Sequence, residues 1–180
     1  GSGDLIPPSS RVSSPGHNTA NTGIDVAKTA NVPATTLAAR VGEAQFLRAL
    51  YYFNLVRIYG DVPLYTTPTA GVLTATVRDP AAKVYTQIIS DLLAAQAVLP
   101  DKAAQYGRAD KPAAQHLLAE VYLTRNAPGD MALSEAPSPA VVTHPPFKLL
   151  PSEKLNWEFG NDGHTDDVWA ADPYPILDEL

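Results

Sequence analysis

The chain of 180 residues contains no cysteine. Disulfides, thiolate metal sites and a cysteine nucleophile are therefore excluded, while the compartment stays open. It also lacks any run of lysine and arginine. With 13 basic and 19 acidic residues the formal charge is −6, and without a basic patch nucleic acid is not an expected partner. No apolar run approaches the roughly 18 residues that a membrane-spanning helix needs. No charged-then-apolar leader opens the chain, and its start, Gly1-Ser2-Gly3-Asp4, reads as a cut end. Catalytic signatures are missing too. There is no Gly-x-Ser-x-Gly elbow, and no His-Glu-x-x-His, phosphate loop or cofactor fingerprint, so neither enzymatic activity nor a cofactor is expected.

What is present is an ordinary apolar fraction, 45 %, and an excess of proline, 17 residues, against a usual share of about 5 %. The prolines lie between apolar blocks, which implies short elements joined by stiff connectors. Residues 1–35, rich in Ser, Thr, Asn, Pro and Gly, read as mostly loop. Within them a weak helix is expected over 18–30, with Ala20, Ile24 and Ala27 on one side. A helix over 37–59 follows, capped by Thr35 or Thr36. Its apolar residues do not form one stripe. Leu37, Val41, Ala44, Leu55 and Tyr59 fall together, Phe46, Ala49 and Phe53 fall opposite, and only a narrow strip carries Glu43, Asn54 and Arg57. A helix apolar nearly all round is buried among other elements.

Gly60 ends that helix, and Asp61-Val62-Pro63 forces an extended exit, because the residue before proline avoids the helical region. Asp79 and Pro80 predict the cap and first turn of the next helix. Its core face is Val84, Tyr85, Ile88, Leu92, Ala95 and Leu99, and Pro100 closes it. Asp110 caps a further helix with Pro112 in its first turn and Ala114, Leu117, Leu118 and Val121 as its stripe, ending near Asn126. From 127 onward the chain reads as an irregular tail, with short strands expected around 148–150 and 168–170. The resulting division is 1–35, 36–126 and 127–180.

The segment "GEAQFLRALYYFNLVRIYGDVPL", from Gly42 to Leu64, is similar to the signature of the SusD/RagB family. "VYTQIISDLLAAQAVLP" and "GRADKPAAQHLLAEVYL" resemble the family's next two helices, the first with Asp91 and the second with Gly107-Arg108 in place. "TANTGID" around Asn21 is a fainter match, and "FKLLP" and "DDVWA" resemble later family segments. The resemblance covers roughly residues 18–170 in order. It departs at Gln45, where the family prefers arginine, and in the proline-rich "PSPAVVTHPP", where the family has another helix.

The resemblance implies an all-α fold of tetratricopeptide-like helical hairpins with an irregular, loop-rich C-terminal tail. It implies a surface-exposed outer-membrane lipoprotein that binds oligosaccharides or other nutrients. Such a protein acts with a SusC-type TonB-dependent transporter in nutrient uptake, and it touches the membrane only through a lipid anchor that this chain lacks. Family members run to several hundred residues, so this sequence resembles a short or truncated member. The structural motif carried over comprises Gly42, Glu43, Arg48, Tyr52, Gly60, Asp61, Pro63, Asp91 and Arg108.

Arg48 lies on an apolar face, where a buried guanidinium needs a partner. Asp91 is the candidate, and snorkelling to solvent is the alternative. Trp157, flanked by Asn156 and Glu158, is the candidate sugar platform, an aromatic face matching the apolar face of a pyranose ring. The alternative is that Trp157, like Trp169, anchors the tail, since large aromatics are mostly buried. "NDGHTDD" holds clustered oxygen ligands of the kind Ca²⁺ favours, but not at EF-hand spacing. His116 and Glu120, one turn apart, face away from the core stripe. Both are read as solvated, and no metal site is expected. The leading reading is a nutrient-binding protein. The alternative is a structural helical-repeat fragment that contacts protein and binds no ligand.

Overall fold

The computed structural model describes residues 8–70 and 76–135, with side-chain environments from residue 16 onward. Among the described residues there are five helices: α1 (Pro8–Ala27), α2 (Ala34–Tyr59), α3 (Ala81–Val98), α4 (Lys111–Arg125) and α5 (Asp130–Glu135). Among the described residues the architecture is all-helical, built from tetratricopeptide-like hairpins. It divides into two compact units, Gly1–Pro100 and Asp101–Leu180.

The first unit is a three-helix, antiparallel stack with α2 in the middle. Gly16 of α1 lies against the Tyr51 ring and Gly23 faces Ala44, while Gly42 lies against Val98 and Leu99. A β-carbon on Gly42 would stand 2.6 Å from Val98 Cγ2. Gly42 is thus a point of close approach between α2 and α3. Around it the core is apolar: Phe46, Ala49, Tyr52, Phe53 and Val56 are buried on α2, and Val84, Ile88, Leu92 and Ala95 on α3. Burying each large side chain contributes about 1.5–3 kcal/mol, which a helix this long obtains only between two neighbours.

Three expectations about helix ends need correction. α1 starts at Pro8 and runs through Pro15 and Gly16, where composition suggests loop. Gly16 admits the Tyr51 ring, since a β-carbon there would stand 2.5 Å from it, so tertiary packing overrides poor propensity. α2 starts at Ala34 after Pro33, with no side-chain cap from Thr35 or Thr36. Asp79 does not cap α3. The Ala81 N–H donates instead to Asp61 Oδ1 at 2.8 Å, so the cap comes from twenty residues upstream.

Gly60 closes α2 as expected. Its φ of 67° with ψ of −114° is accessible to glycine alone, and its N–H donates to Val56 O at 2.9 Å. The chain then turns so that Val62 pairs with Asp79 in an isolated antiparallel bridge.

In the second unit Asp110 caps α4, accepting from the Ala113 N–H at 3.0 Å. Pro112, Ala114, Leu117, Leu118 and Val121 are buried, and Asn126 ends the helix in the left-handed conformation. Composition suggests an irregular chain from 127 onward, yet α5 forms over Asp130–Glu135 and packs on α4. Its first residue, Asp130, is buried. The carboxylate accepts from the Ala127 N–H at 2.8 Å and from Arg125 Nε at 2.8 Å.

Candidate functional site

Residues 64–69 leave the α2 exit as an extended strap across α1 and α2, and polar side chains hold it by its main chain. Tyr52, buried on α2, reads both backbone groups of Tyr65. Its hydroxyl accepts from the Tyr65 N–H at 2.8 Å and donates to Tyr65 O at 3.1 Å. Asn21 of α1 donates to the carbonyls of Tyr65 (2.8 Å) and Thr67 (3.1 Å). Asn18, one turn earlier, pairs with the Thr69 peptide both ways. It accepts from the N–H at 2.8 Å and donates to the carbonyl at 3.2 Å. The Leu64 N–H is taken by Asp79 Oδ2 at 3.0 Å.

Arg48 is the hub. It is buried, and it meets Asp91 of α3 in a two-pronged pair, Nε to Oδ2 at 2.8 Å and Nη2 to Oδ1 at 2.6 Å. Nη1 donates to Asn21 Oδ1 at 2.9 Å and to Thr66 O at 3.2 Å. Gln87 donates to Asp91 Oδ1 at 3.0 Å. One guanidinium thus joins α1, α2, α3 and the strap. The fork geometry of arginine suits it to this, because a lysine has neither the reach nor the parallel donors. Buried charge is tolerable only when its hydrogen bonds are filled, and here four of them are.

Burial sets the electrostatics of the neighbours. It pushes the Tyr52 hydroxyl up to about 12, against the opposing hydrogen bond with Tyr65 and the Arg48 charge. The Lys83 ammonium holds Asp79 below the usual carboxylate range, helped by the Leu64 N–H. Burial raises Glu43, against Arg40, whose guanidinium lies 3.1 Å away. In the second unit the hydrogen bond from Arg125 keeps Asp130 low.

Most of the family-motif residues thus have physical roles. Gly42, Arg48, Tyr52, Gly60, Asp61 and Asp91 set the helix contact, the clasp and the cap. Pro63 is half-buried beside the bridge, Glu43 is half-buried on α2 and pairs with Arg40, and Arg108, ahead of α4, donates to Gln105 at 3.2 Å. Trp157, Asn156 and Glu158 lie outside the described residues, as do "NDGHTDD" and both expected strands. His116 is exposed, and among the described residues no group of three or more His, Cys, Asp or Glu side chains is placed to hold a metal. Sequence reasoning missed Asn18 and the clasping role of Asn21. The available signal was an asparagine beside the Ala20–Ile24–Ala27 stripe, where an apolar residue would otherwise serve.

Residues 18–123 match the model of a SusD-like family described as starch-binding and associating with the outer membrane. The chain belongs to the SusD-like family. A curated relative, SusD-like protein P2 of Formosa agariphila, is 39 % identical over 111 residues, covering 59 % of this chain and 22 % of its own length. A laminarin-binding SusD-like protein superposes with a TM-score of 0.77 at 29 % identity, covering 88 % of this chain and 37 % of that one. A structure solved with xylogluco-oligosaccharide gives 0.70 at 26 % identity, covering 79 % and 30 %. The chain spans about a quarter of the length of the curated relatives it matches. Among the described residues no helix is long and apolar enough to cross a membrane.

Proposed function

We propose that this SusD-like chain serves glycan capture at the outer surface of the cell, binding an oligosaccharide and working with a SusC-type TonB-dependent transporter. The observation that carries this reading is the family match over 18–123. It is supported by structural relatives described with laminarin and with a xylogluco-oligosaccharide. The role is binding rather than catalysis. Trp157, with Asn156 and Glu158, supplies the sugar platform, the indole stacking on a pyranose face while the two polar neighbours meet hydroxyls. Attachment to the outer membrane is through a lipid anchor.

Native gels containing laminarin, xyloglucan or starch test this directly. Retarded migration in at least one gel, lost in Trp157→Ala, is the expected result. Folded protein that runs unretarded in all three overturns glycan binding by this chain. A second reading is a helical scaffold that contacts protein and no ligand. It is favoured by the buried Asn21, Arg48, Tyr52 and Asp91, whose hydrogen bonds go to the chain's own groups. Co-purification of the TonB-dependent transporter with a glycan-blind chain is the outcome that selects it.

A further inference from the structure

We propose that Tyr106, at the tip of the turn ahead of α4, is a stacking platform for a neutral glycan, with Gln105 beside it as a donor to sugar hydroxyls. The inference rests on the glycan-binding reading and names a contact for it within the second unit.

The first support is the turn that carries the ring. The Arg108 N–H donates to Gln105 O at 3.4 Å, and Gly107 has a φ of 78°. Tyr106 is not among the residues with positive φ. A left-handed residue at the third position alone is the pattern of a type II turn, which sets Tyr106 at its second position. The turn is braced on both sides. Arg108 donates to Gln105 Oε1 at 3.2 Å, Lys111 pairs with Asp101 at 3.1 Å, and Ala109 is buried just ahead of α4. A platform already held in place loses little conformational freedom when a ligand arrives.

The second support is that the turn does not call for an aromatic ring. Gly107 meets the left-handed requirement, and the second position of a type II turn favours proline. Nor is the ring sunk in the core. Tyr106 is 64 % exposed, while Phe46, Tyr52, Phe53 and Tyr122 are buried and Tyr59, the next most exposed of the described aromatics, reaches 39 %.

The third support is chemical. A tyrosine joins an apolar ring face to a polar tip, which suits a contact that is half apolar and half wet. A pyranose is built the same way, with C–H groups on its face and hydroxyls at its rim. Gln105 is exposed, and its side-chain oxygen is engaged by Arg108. Toward a ligand it therefore acts through its amide N–H groups. Tyrosine and glutamine carry no charge, so the ligand they fit is a neutral sugar chain.

Native gels with graded laminarin, xyloglucan or starch test the platform. In a gel that retards the native protein, Tyr106→Ala should raise the apparent dissociation constant about fivefold, and Tyr106→Phe, which keeps the ring, should stay within about twofold. Gln105→Ala should weaken binding by a smaller factor than Tyr106→Ala. All three variants should melt at the native temperature. Native-like retardation of Tyr106→Ala, with retardation lost in Trp157→Ala, overturns the platform and leaves the glycan-binding reading standing. Native protein that no gel retards overturns both. A lowered melting temperature in Tyr106→Ala also overturns the platform, because the ring would then serve the fold.

Discussion

The α2–α3 hairpin and the contact of α1 with the strap are built from different chemistry, although they share the middle helix. Between α2 and α3 the interior is phenylalanine, valine, isoleucine and leucine, drawn close by Gly42 against Val98. Between α1, α2 and the strap it is asparagine, tyrosine and arginine, bonded to backbone, with His17 against the Tyr52 ring. Apolar packing is nondirectional and tolerates repacking. A hydrogen-bonded clasp works only in one register, because each donor needs its acceptor within about 3 Å. The difference suggests that the hairpin supplies stability and the clasp supplies position, fixing where the chain runs after the Gly60–Asp61–Val62–Pro63 exit. Asp91 belongs to both, since it lies on the buried face of α3 yet anchors the guanidinium that reaches the strap.

The comparison can be broken most severely at that shared point. Asp91→Ala leaves Arg48 buried without its counter-ion and is expected to cost about 3–5 kcal/mol, seen as a fall in urea midpoint with unchanged slope. On the apolar side, Leu92→Ala should cost about 2–5 kcal/mol through the cavity it leaves and should not accelerate strap exchange selectively. Gly42→Val forces a side chain into the contact with Val98, and about 1–3 kcal/mol is expected from overpacking. A melting temperature equal to the native protein's would show that α2 and α3 can move apart freely.

Tyr52→Phe sharpens the comparison, since it removes the two bonds to Tyr65 while keeping the ring, and about 1–3 kcal/mol should be lost. It also carries a pH signature. Burial raises the folded hydroxyl from its ordinary 10.0 to about 12. A raised value stabilises the fold fully below the ordinary value, and that contribution is lost as pH rises through the folded one. Thermal melts from neutral to alkaline pH should therefore show a loss of stability above pH 10 that Tyr52→Phe reduces. The smallest effect is expected at the acid end of the second unit. Arg125 holds Asp130 below its ordinary value, so its contribution is present above that value and lost as pH falls through the depressed one. Asp130→Asn should flatten the acid limb of helix content measured by circular dichroism.

The apolar half of this comparison was legible in the sequence, and the polar half largely was not. The stripes of α3 and α4, the left-handed glycine at 60 and the Asp110 cap follow from local spacing, and each is where local rules put it. Arg48 was legible as a buried charge in need of a partner, and the nearest carboxylate on the facing stripe, Asp91, is the one it meets. The capping of Ala81 by Asp61 was not legible, because only Asp79 lies at the local capping position and the reach from twenty residues upstream is set by the fold. The strap left almost no trace, since recognition through carbonyls and N–H groups imposes little on the side chains at 66 and 67. α1 was understated for the same physical reason. Its docking uses Gly16, Ala20 and Asn21, small or polar residues that composition assigns to loop. The candidate sugar platform at Trp157, Asn156 and Glu158 lies outside the described residues and rests on the polar flanks of a single tryptophan.

Site-resolved proteolysis of the strap tests the central contrast most directly. The Tyr65–Thr66 bond is held at Tyr65 by Tyr52 and Asn21 and at Thr66 by Arg48. Cleavage by chymotrypsin after Tyr65, followed by mass spectrometry, should be slow in the native protein and at least tenfold faster in Asn21→Ala. Leu92→Ala, matched for overall stability, should cut across the hairpin without that preference. Equal cleavage after Tyr65 in the native protein and Asn21→Ala would contradict the account, because the strap would then be held by something other than its clasp.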